Sequence, residues 1–300
     1  MPDDAGRPDG AVRVDPLSGA RVHVVSGRQD RPIRPADGCP FCVGGLEAPE
    51  PYQVRWFPNR WPAMAADRCE VVLYAPKHGA AFWSLGVDGA RQVVDVWADR
   101  TAALGARPDV AYVLVFENRG AAVGATIDHP HGQIYAFGEV PPVPAAEAER
   151  AGVDDPLAAP ADPDTVVTTS PGWRAWVPAS ATHPLEVVLA PDQPLADLPA
   201  APAEARDGLA ALLVDVLQRC DRLYDEPLPY MLWIHQRPPR VAAWPVRLHL
   251  HLVSPMRAAD TWRYVAAGEL GSGVFFNPVD PLEAAERLRS ASSPSRSQEA

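Results

Sequence analysis

Residues 128–137 read DHPHGQIYAF, and this stretch decides how the whole chain is interpreted. Two histidines, His129 and His131, flank a proline, and the apolar run that follows predicts a β-strand. Because side chains two residues apart on an extended chain lie on the same face, we expect both imidazoles to point into one site. Two neutral imidazoles on one face suit metal ligation, nucleophilic attack or proton transfer.

Composition narrows the class of protein. The chain has 300 residues and a net charge of −11 at pH 7. That charge argues against a broad nucleic-acid-binding surface, which needs clustered Lys and Arg. The acidic start MPDDAGRPDG has no apolar segment of a signal peptide, and no apolar run approaches the roughly 20 residues of a membrane span. We therefore expect a cytoplasmic protein that binds neither nucleic acid nor membrane.

The two halves of the chain carry similar elements in the same order. In the first half, the HPHGQ motif follows CEVVLYAPKH, a helical stretch and VAYVLVFEN. In the second half, VRLHLHLV follows EVVLAPDQ, a helical stretch and PYMLWIHQ. This order predicts an internal duplication and an α+β fold, with a mainly antiparallel sheet and flanking helices. The predicted parts are an N-terminal half at 1–151, a linker at 152–163, a C-terminal half at 164–292 and a disordered tail at 293–300.

A second motif, CPFC at residues 39–42, places Cys39 and Cys42 at the spacing of one half of a zinc site. A thioredoxin-like redox pair is the rival reading, although a loop rather than a helix follows the motif. His78 and His129 are the candidates to complete four ligands. His131 would then remain for chemistry, as a nucleophile toward a phosphoryl group. Gly132 would let the backbone approach that phosphate, and Gln133 would donate to it.

These motifs together resemble one known family. FENRGAAVGATIDHPHGQIYAF looks like the active-site segment of galactose-1-phosphate uridylyltransferases, in the histidine-triad superfamily, and the likeness covers most of the chain. The resemblance implies two histidine-triad-like halves, a homodimer, and a ping-pong transfer of UMP from UDP-glucose to a hexose 1-phosphate through a covalent uridylyl-His131. It also implies a structural zinc and a steadying role for Gln133. The positions that match the zinc ligands are Cys39, Cys42, His78 and His129, and those that match nucleotide contacts are Arg28, Arg31, Asn59, Asn118, Gly124 and Thr126.

The resemblance implies two further groups in the C-terminal half. Some members have a second divalent metal, iron or zinc, and the matching positions are Glu147, His235, His249 and His251. In the sugar pocket Arg263 and Glu269 match polar positions, but Gly268 and Phe275 replace a tyrosine and a glutamine. Because lost hydrogen-bond partners weaken discrimination between hydroxyl epimers, we expect relaxed sugar selectivity.

Two other functions remain open from the sequence. One is a related nucleotidylyltransferase or phosphorylase that acts on another sugar phosphate or another base. The other is a zinc-stabilised nucleotide-binding sensor without turnover. The intact HPHGQ motif argues against the sensor, because binding alone requires no nucleophile.

Overall fold

The structure, a computed structural model, describes residues 12–26, 38–64, 66–151, 155–224 and 226–292. The strands of this part of the chain are β1 Val12–Val14, β2 Arg21–His23, β3 Arg55–Pro58, β4 Cys69–Leu73, β5 Tyr112–Arg119, β6 His131–Phe137, β7 Val166–Ser170, β8 Trp173–Trp176, β9 Leu185–Pro191, β10 Tyr230–His235, β11 His249–Ser254, β12 Met256–Ala258 and β13 Thr261–Trp262. The α-helices are α1 Gly86–Gly105, α2 Pro142–Arg150, α3 Ala203–Arg222, α4 Ala267–Ser272 and α5 Pro281–Ser290.

Nine of these strands form one antiparallel sheet in the order β3-β4-β6-β5-β10-β11-β9-β8-β7. The two halves of the chain meet at the centre, where β5 pairs with β10 and Phe116 lies opposite Trp233. The predicted α+β class, with a mainly antiparallel sheet and flanking helices, is confirmed.

The helices α1 and α3 cover one face of this sheet and contact each other. On α1, Val93, Val94, Trp97 and Leu104 recur at helical spacing and are buried, as the sequence pattern predicts. Alternate residues of the central strands, such as Val115, meet them from the sheet. No helix in the described ranges is long and apolar enough to cross a membrane.

The strand order has a symmetry that a duplication would produce. The run β3-β4-β6-β5 is matched across the centre by β10-β11-β9-β8 read in reverse. His131 and His249 are each the first residue of a strand, at opposite ends of the sheet. The duplication and the domain bounds nevertheless stay predictions. Residues 1–11, the linker residues 152–154 and the tail at 293–300 lie outside the described residues.

One tight contact fixes α3 on the sheet. A Cβ at Gly208 would overlap the carbonyl oxygen of Pro171 and lie 2.9 Å from Cδ1 of Trp173. We therefore expect Gly208→Ala to lower the free energy of unfolding by about 1–3 kcal/mol, the usual range for overpacking. Gly268→Ala, in α4 and with nothing within 4 Å of the added methyl, is the matched control and should leave it unchanged or raise it by up to about 1 kcal/mol, as alanine favours a helix. Denaturant titration of both variants measures the difference, and equal stabilities would contradict the packing described.

Candidate active site

The backbone fixes His131 on both sides at the start of β6. His131 lies opposite Leu73 of β4, and the amide of Tyr74 donates to the carbonyl oxygen of Pro130 at 3.0 Å. Nδ1 of His131 lies 2.7 Å from the carbonyl oxygen of His129. Because a carbonyl oxygen only accepts, Nδ1 carries the proton and Nε2 the lone pair. The side chain is thus held in the tautomer that a nucleophile at Nε2 requires.

Gly132 has a structural role in addition to its approach to phosphate, which stays a prediction. A Cβ at this position would overlap the hydroxyl oxygen of Tyr74, which lies directly against the glycine Cα. Tyr74 thus holds the segment twice, through its amide at Pro130 and through its hydroxyl at Gly132. The glycine is needed here because the tyrosine fills the space that a side chain would take.

The first candidate metal group is Cys39, Cys42, His78 and His129, whose ligand atoms all lie within 4.8 Å of one another. Nδ1 of His129 lies 3.7 Å from Sγ of Cys39 and 3.8 Å from Sγ of Cys42. Nδ1 of His78 lies 3.7 Å from Sγ of Cys42. Separations of roughly 3.5–3.8 Å are the edges of a tetrahedron with metal–sulfur bonds near 2.3 Å and metal–nitrogen bonds near 2.1 Å. The group therefore fits a tetrahedral ion.

The protonation of this group also suits a metal. Nε2 of His129 donates to the carbonyl oxygen of Ala75 at 2.8 Å, so its lone pair is at Nδ1, on the side of the sulfurs. Burial lowers the pKa of the His129 imidazole and keeps it neutral. Burial, and then the neighbouring Cys39, raises the pKa of the Cys42 thiol. A nearby cation would offset that effect, because it favours the thiolate.

The second candidate metal group lies at the opposite end of the sheet and joins the two halves. Glu147 of α2 meets His235, which ends β10, and His249 and His251 of β11. A carboxylate oxygen of Glu147 lies 2.8 Å from Nδ1 of His235, 3.6 Å from Nε2 of His249, and its other oxygen 3.7 Å from Nε2 of His251. Glu147, rather than the nearby Glu149, occupies this place.

The electrostatics of this second group favour an ionised carboxylate at Glu147 and neutral imidazoles at His235 and His251. Burial acts to raise the pKa of Glu147, but hydrogen bonds from His235 and His249 hold it below its ordinary value. Burial, followed by the other imidazoles, lowers the pKa of His251 well below its ordinary range. Nε2 of His251 is buried without a hydrogen-bond partner in the described part of the chain. An orphaned nitrogen facing a carboxylate suits a divalent cation.

His131 and Gln133 line a cavity of about 380 Å³ with an apolar wall that includes Phe41 and Phe57. The amide of Gln133 is oriented through Asn59. The backbone amide of Trp61 donates to Oδ1 of Asn59 at 2.9 Å, so Nδ2 of Asn59 donates to Oε1 of Gln133 at 3.1 Å. The Gln133 Nε2 group is thereby left as the donor toward the cavity.

The loop between β5 and β6 separates this cavity from a larger one of about 730 Å³. The Asn118 side chain holds the loop by donating to the carbonyl oxygen of Val123 at 3.1 Å. Gly124 has a φ of 90°, a left-handed conformation that favours glycine. Thr126 lines both cavities. Asn118, Gly124 and Thr126 thus shape the loop beside His131.

The structure does not bring the predicted sugar-pocket residues to His131. Arg263 follows β13 and pairs with Glu269 in a buried contact, and the Glu269 carboxylate also accepts from the backbone amides of Ala266 and Phe276 at 2.9 Å. Neither side chain lines the cavities described above. Three donors already bind the Glu269 carboxylate, and its role as a sugar ligand stays a prediction. Arg28 and Arg31 lie outside the described residues.

Sequence reasoning missed several residues that shape the site. Phe41 packs edge-on against both His129 and His131, with ring centroids 6.0 and 5.2 Å away. The Tyr52 hydroxyl lies 2.9 Å from Nε2 of His129. Neither residue stands in a pattern that marks it. Glu117, in contrast, is marked by the sequence pattern. It is an acidic residue at the buried position that follows Val113 and Val115 on alternate residues of an apolar strand.

Comparisons with known proteins agree with this geometry. Residues 61–141 and 153–270 match the N-terminal and C-terminal domains of the galactose-1-phosphate uridyl transferase family. The chain is 33% identical to the galactose-1-phosphate uridylyltransferase of Thermotoga maritima, over 93% of this chain and 97% of that one. It is 36% identical to that of Streptomyces lividans, over 93% and 86%. A solved uridylyltransferase structure matches with a TM-score of 0.85 and 25% identity, over 93% and 97%.

Both clusters lead to one prediction about metal content. We expect purified protein to hold two ions per chain. Cys39→Ser should lose the ion near His131, and Glu147→Ala the other, because the clusters lie at opposite ends of the sheet and share no ligand. Cys220→Ala, a buried cysteine outside both groups, is the control and should keep both ions. Elemental analysis of the three variants measures the content, and an unchanged content in Cys39→Ser would contradict the first cluster.

Proposed function

The chain belongs to the galactose-1-phosphate uridylyltransferase family, and from that premise we propose that this transferase moves UMP from UDP-glucose to galactose 1-phosphate. The products are UDP-galactose and glucose 1-phosphate. The observation that carries the proposal is the hydrogen bond from Nδ1 of His131 to the His129 carbonyl, which presents the Nε2 lone pair beside a cavity of nucleotide size.

The proposed reaction is two displacements at one phosphorus. Nε2 of His131 attacks the α-phosphorus of UDP-glucose, and the bond to the bridging oxygen breaks, so that glucose 1-phosphate leaves with the electron pair. A phosphate oxygen of galactose 1-phosphate then attacks the same phosphorus and releases His131. The uridylylated imidazole carries positive charge, and the His129 carbonyl that accepts from Nδ1 stabilises that charge.

Neighbouring side chains would bind the substrate around that phosphorus. The Gln133 amide, oriented by Asn59, would donate to a phosphoryl oxygen. By their match to the family, Arg28 and Arg31, which lie outside the described residues, would neutralise the diphosphate. The apolar wall at Phe41 and Phe57 would take the uracil ring. Asn118, Gly124 and Thr126 would contact the nucleotide from the β5–β6 loop.

We propose that Cys39, Cys42, His78 and His129 hold zinc, because thiolates with imidazoles in a tetrahedral arrangement are its usual ligands. Four protein ligands close the shell, so the ion would be structural. Its contribution would be to hold the His129 backbone, whose carbonyl sets the tautomer of His131. We propose a divalent iron or zinc ion at Glu147, His235, His249 and His251, where it would join the two halves.

We propose that the enzyme is a cytoplasmic homodimer with shared active sites. Glu269 lies in a segment, residues 264–276, that exposes large apolar side chains, and Arg263 directly precedes it. Leu270 is 78% exposed and Tyr264 is 79% exposed. If a second copy covers this segment, its sugar-pocket residues can reach the partner's His131, which they do not reach within one chain.

The first functional prediction concerns His131. His131→Ala should abolish transfer, by at least about a thousandfold in kcat, because no other described group supplies the nucleophile. The fold should persist, since the ring is not in the metal group. His23→Ala, a histidine of the β1–β2 hairpin, is the control. Exchange of label between UDP-glucose and glucose 1-phosphate measures the first half-reaction, and UDP-galactose formation measures the second. Near-normal exchange in His131→Ala would overturn the assignment.

The second concerns the dimer. Leu270→Glu should dissociate the dimer, because burying a charge in an apolar contact costs a large free energy. The rate of UMP transfer should then fall together with the molecular mass in solution. Val87→Glu, exposed on α1, should leave both unchanged. Sedimentation and the transfer assay run on the same samples test this. A fully active monomer would show that the sites are not shared.

A further inference from the structure

The inference concerns a buried polar layer beneath the nucleophile. Glu117 is 4% exposed and lies in β5, on the face that packs toward α1. Its Oε1 accepts from the Tyr230 hydroxyl at 2.7 Å. Its Oε2 and the Tyr74 hydroxyl are buried, and neither makes a hydrogen bond of ordinary geometry to a residue that the structure describes. The two groups are nevertheless close enough for each to shift the pKa of the other. A buried carboxyl with an unpaired oxygen lowers the stability of the fold, so its presence in the core needs an explanation.

The position of Tyr74 connects this layer to His131. Its hydroxyl lies against Gly132 and its amide holds Pro130, so both neighbours of His131 contact one tyrosine. The Tyr74 ring packs edge-on against the rings of Phe82 and Trp97, whose centroids lie 5.3 and 5.8 Å from its own. A change at Glu117 would therefore reach the nucleophile through the Tyr74 hydroxyl.

A small cavity adjoins the same place. It has a volume of about 30 Å³ and is lined by Glu117, Pro130 and His131 among others. That volume matches one water molecule, and Glu117 supplies a polar group to hold it.

We propose that Glu117 is a positioning residue for His131, and that the enzyme works with this carboxyl in its neutral form. A proton on Glu117 lets Oε2 donate to the Tyr74 hydroxyl or to a water in the cavity, which completes the layer beneath Gly132. Loss of that proton would place a negative charge in the layer with too few donors to balance it. The inference rests on the proposed function only for the role of His131.

The surroundings of Glu117 agree with a neutral carboxyl. Burial raises its pKa to about 7, against the opposing effects of the Tyr230 hydroxyl, Arg119 and the Tyr74 hydroxyl. Tyr74 follows β4, Tyr230 lies on β10 and Arg119 on β5 itself. The neighbour that α1 contributes to Tyr74 is the uncharged Trp97. The Arg119 guanidinium pairs at 2.6 Å with Asp221 of α3, so its charge is largely committed elsewhere.

The test compares the pH profile of Glu117→Gln with that of the wild type, since glutamine keeps the shape and cannot ionise. We measure label exchange between UDP-glucose and glucose 1-phosphate from pH 6 to 8.5. The rate ratio of variant to wild type should be about 1 at pH 6 and exceed about 10 at pH 8.5, where a carboxyl of pKa near 7 is almost wholly ionised. The activity that the wild type loses at high pH should be lost in kcat rather than in KM, because Glu117 is not proposed to contact substrate.

A stability measurement and a matched control complete the design. Because the folded pKa of Glu117 is raised, the wild type should lose stability relative to Glu117→Gln as pH rises through the window from about 4.5 to 7. Glu70→Gln removes another buried carboxyl, one bound at 2.6 and 2.9 Å by Arg100, and should lower stability without changing the pH profile of exchange.

The outcomes separate two failures. If the wild type shows no exchange, the proposed function is wrong. If the wild type exchanges but Glu117→Gln has the same pH profile, or is equally impaired at every pH, the positioning role of a neutral Glu117 is overturned.

Discussion

The pairing of β5 with β10 is the constraint on which the rest of the structure depends. It joins two four-to-five-stranded halves into one sheet and removes the exposed edge that each would otherwise present. It also sets the geometry of the chemistry. His131 and His249 begin strands that run in opposite directions, so the two clusters of metal-ligand residues lie at opposite ends of the sheet.

The proposed chemistry at His131 would rely largely on contacts made by the backbone of residues 129–132. The His129 carbonyl fixes the ring tautomer, and the Tyr74 amide and hydroxyl hold the residues on either side. In the first cluster the Ala75 carbonyl does the same for His129 and aims its lone pair at the sulfurs. Main-chain acceptors of this kind do not move with a rotamer, so both imidazoles stand ready before any ligand arrives.

Helical periodicity in the sequence predicted α1, and the C-x-x-C spacing selected Cys39 and Cys42, with His78 and His129 as candidates to complete that group. The second ligand group was implied only by the family resemblance, because no local spacing connects a helix of one half with two strands of the other. The sequence did not predict other contacts between segments that are far apart in the chain. The contact of Gly132 with Tyr74 was not predicted, because nothing near the glycine in the chain reveals that a tyrosine 58 residues earlier fills its side-chain space. Likewise the commitment of Glu269 to Arg263 arises from how a loop closes, which spacing alone does not show.

The two clusters also divide the chain into consecutive loops of nearly equal length. Cys39 and His129 are 90 residues apart, and Glu147 and His235 are 88 apart. Closing a loop of that length costs about 4–5 kcal/mol of conformational entropy on a simple chain model. In the folded protein the sheet has already met that cost, so the ligand atoms are brought together before an ion binds. The binding free energy of an ion at either cluster would therefore oppose unfolding, and chelation of that ion would act on the whole fold rather than on one loop.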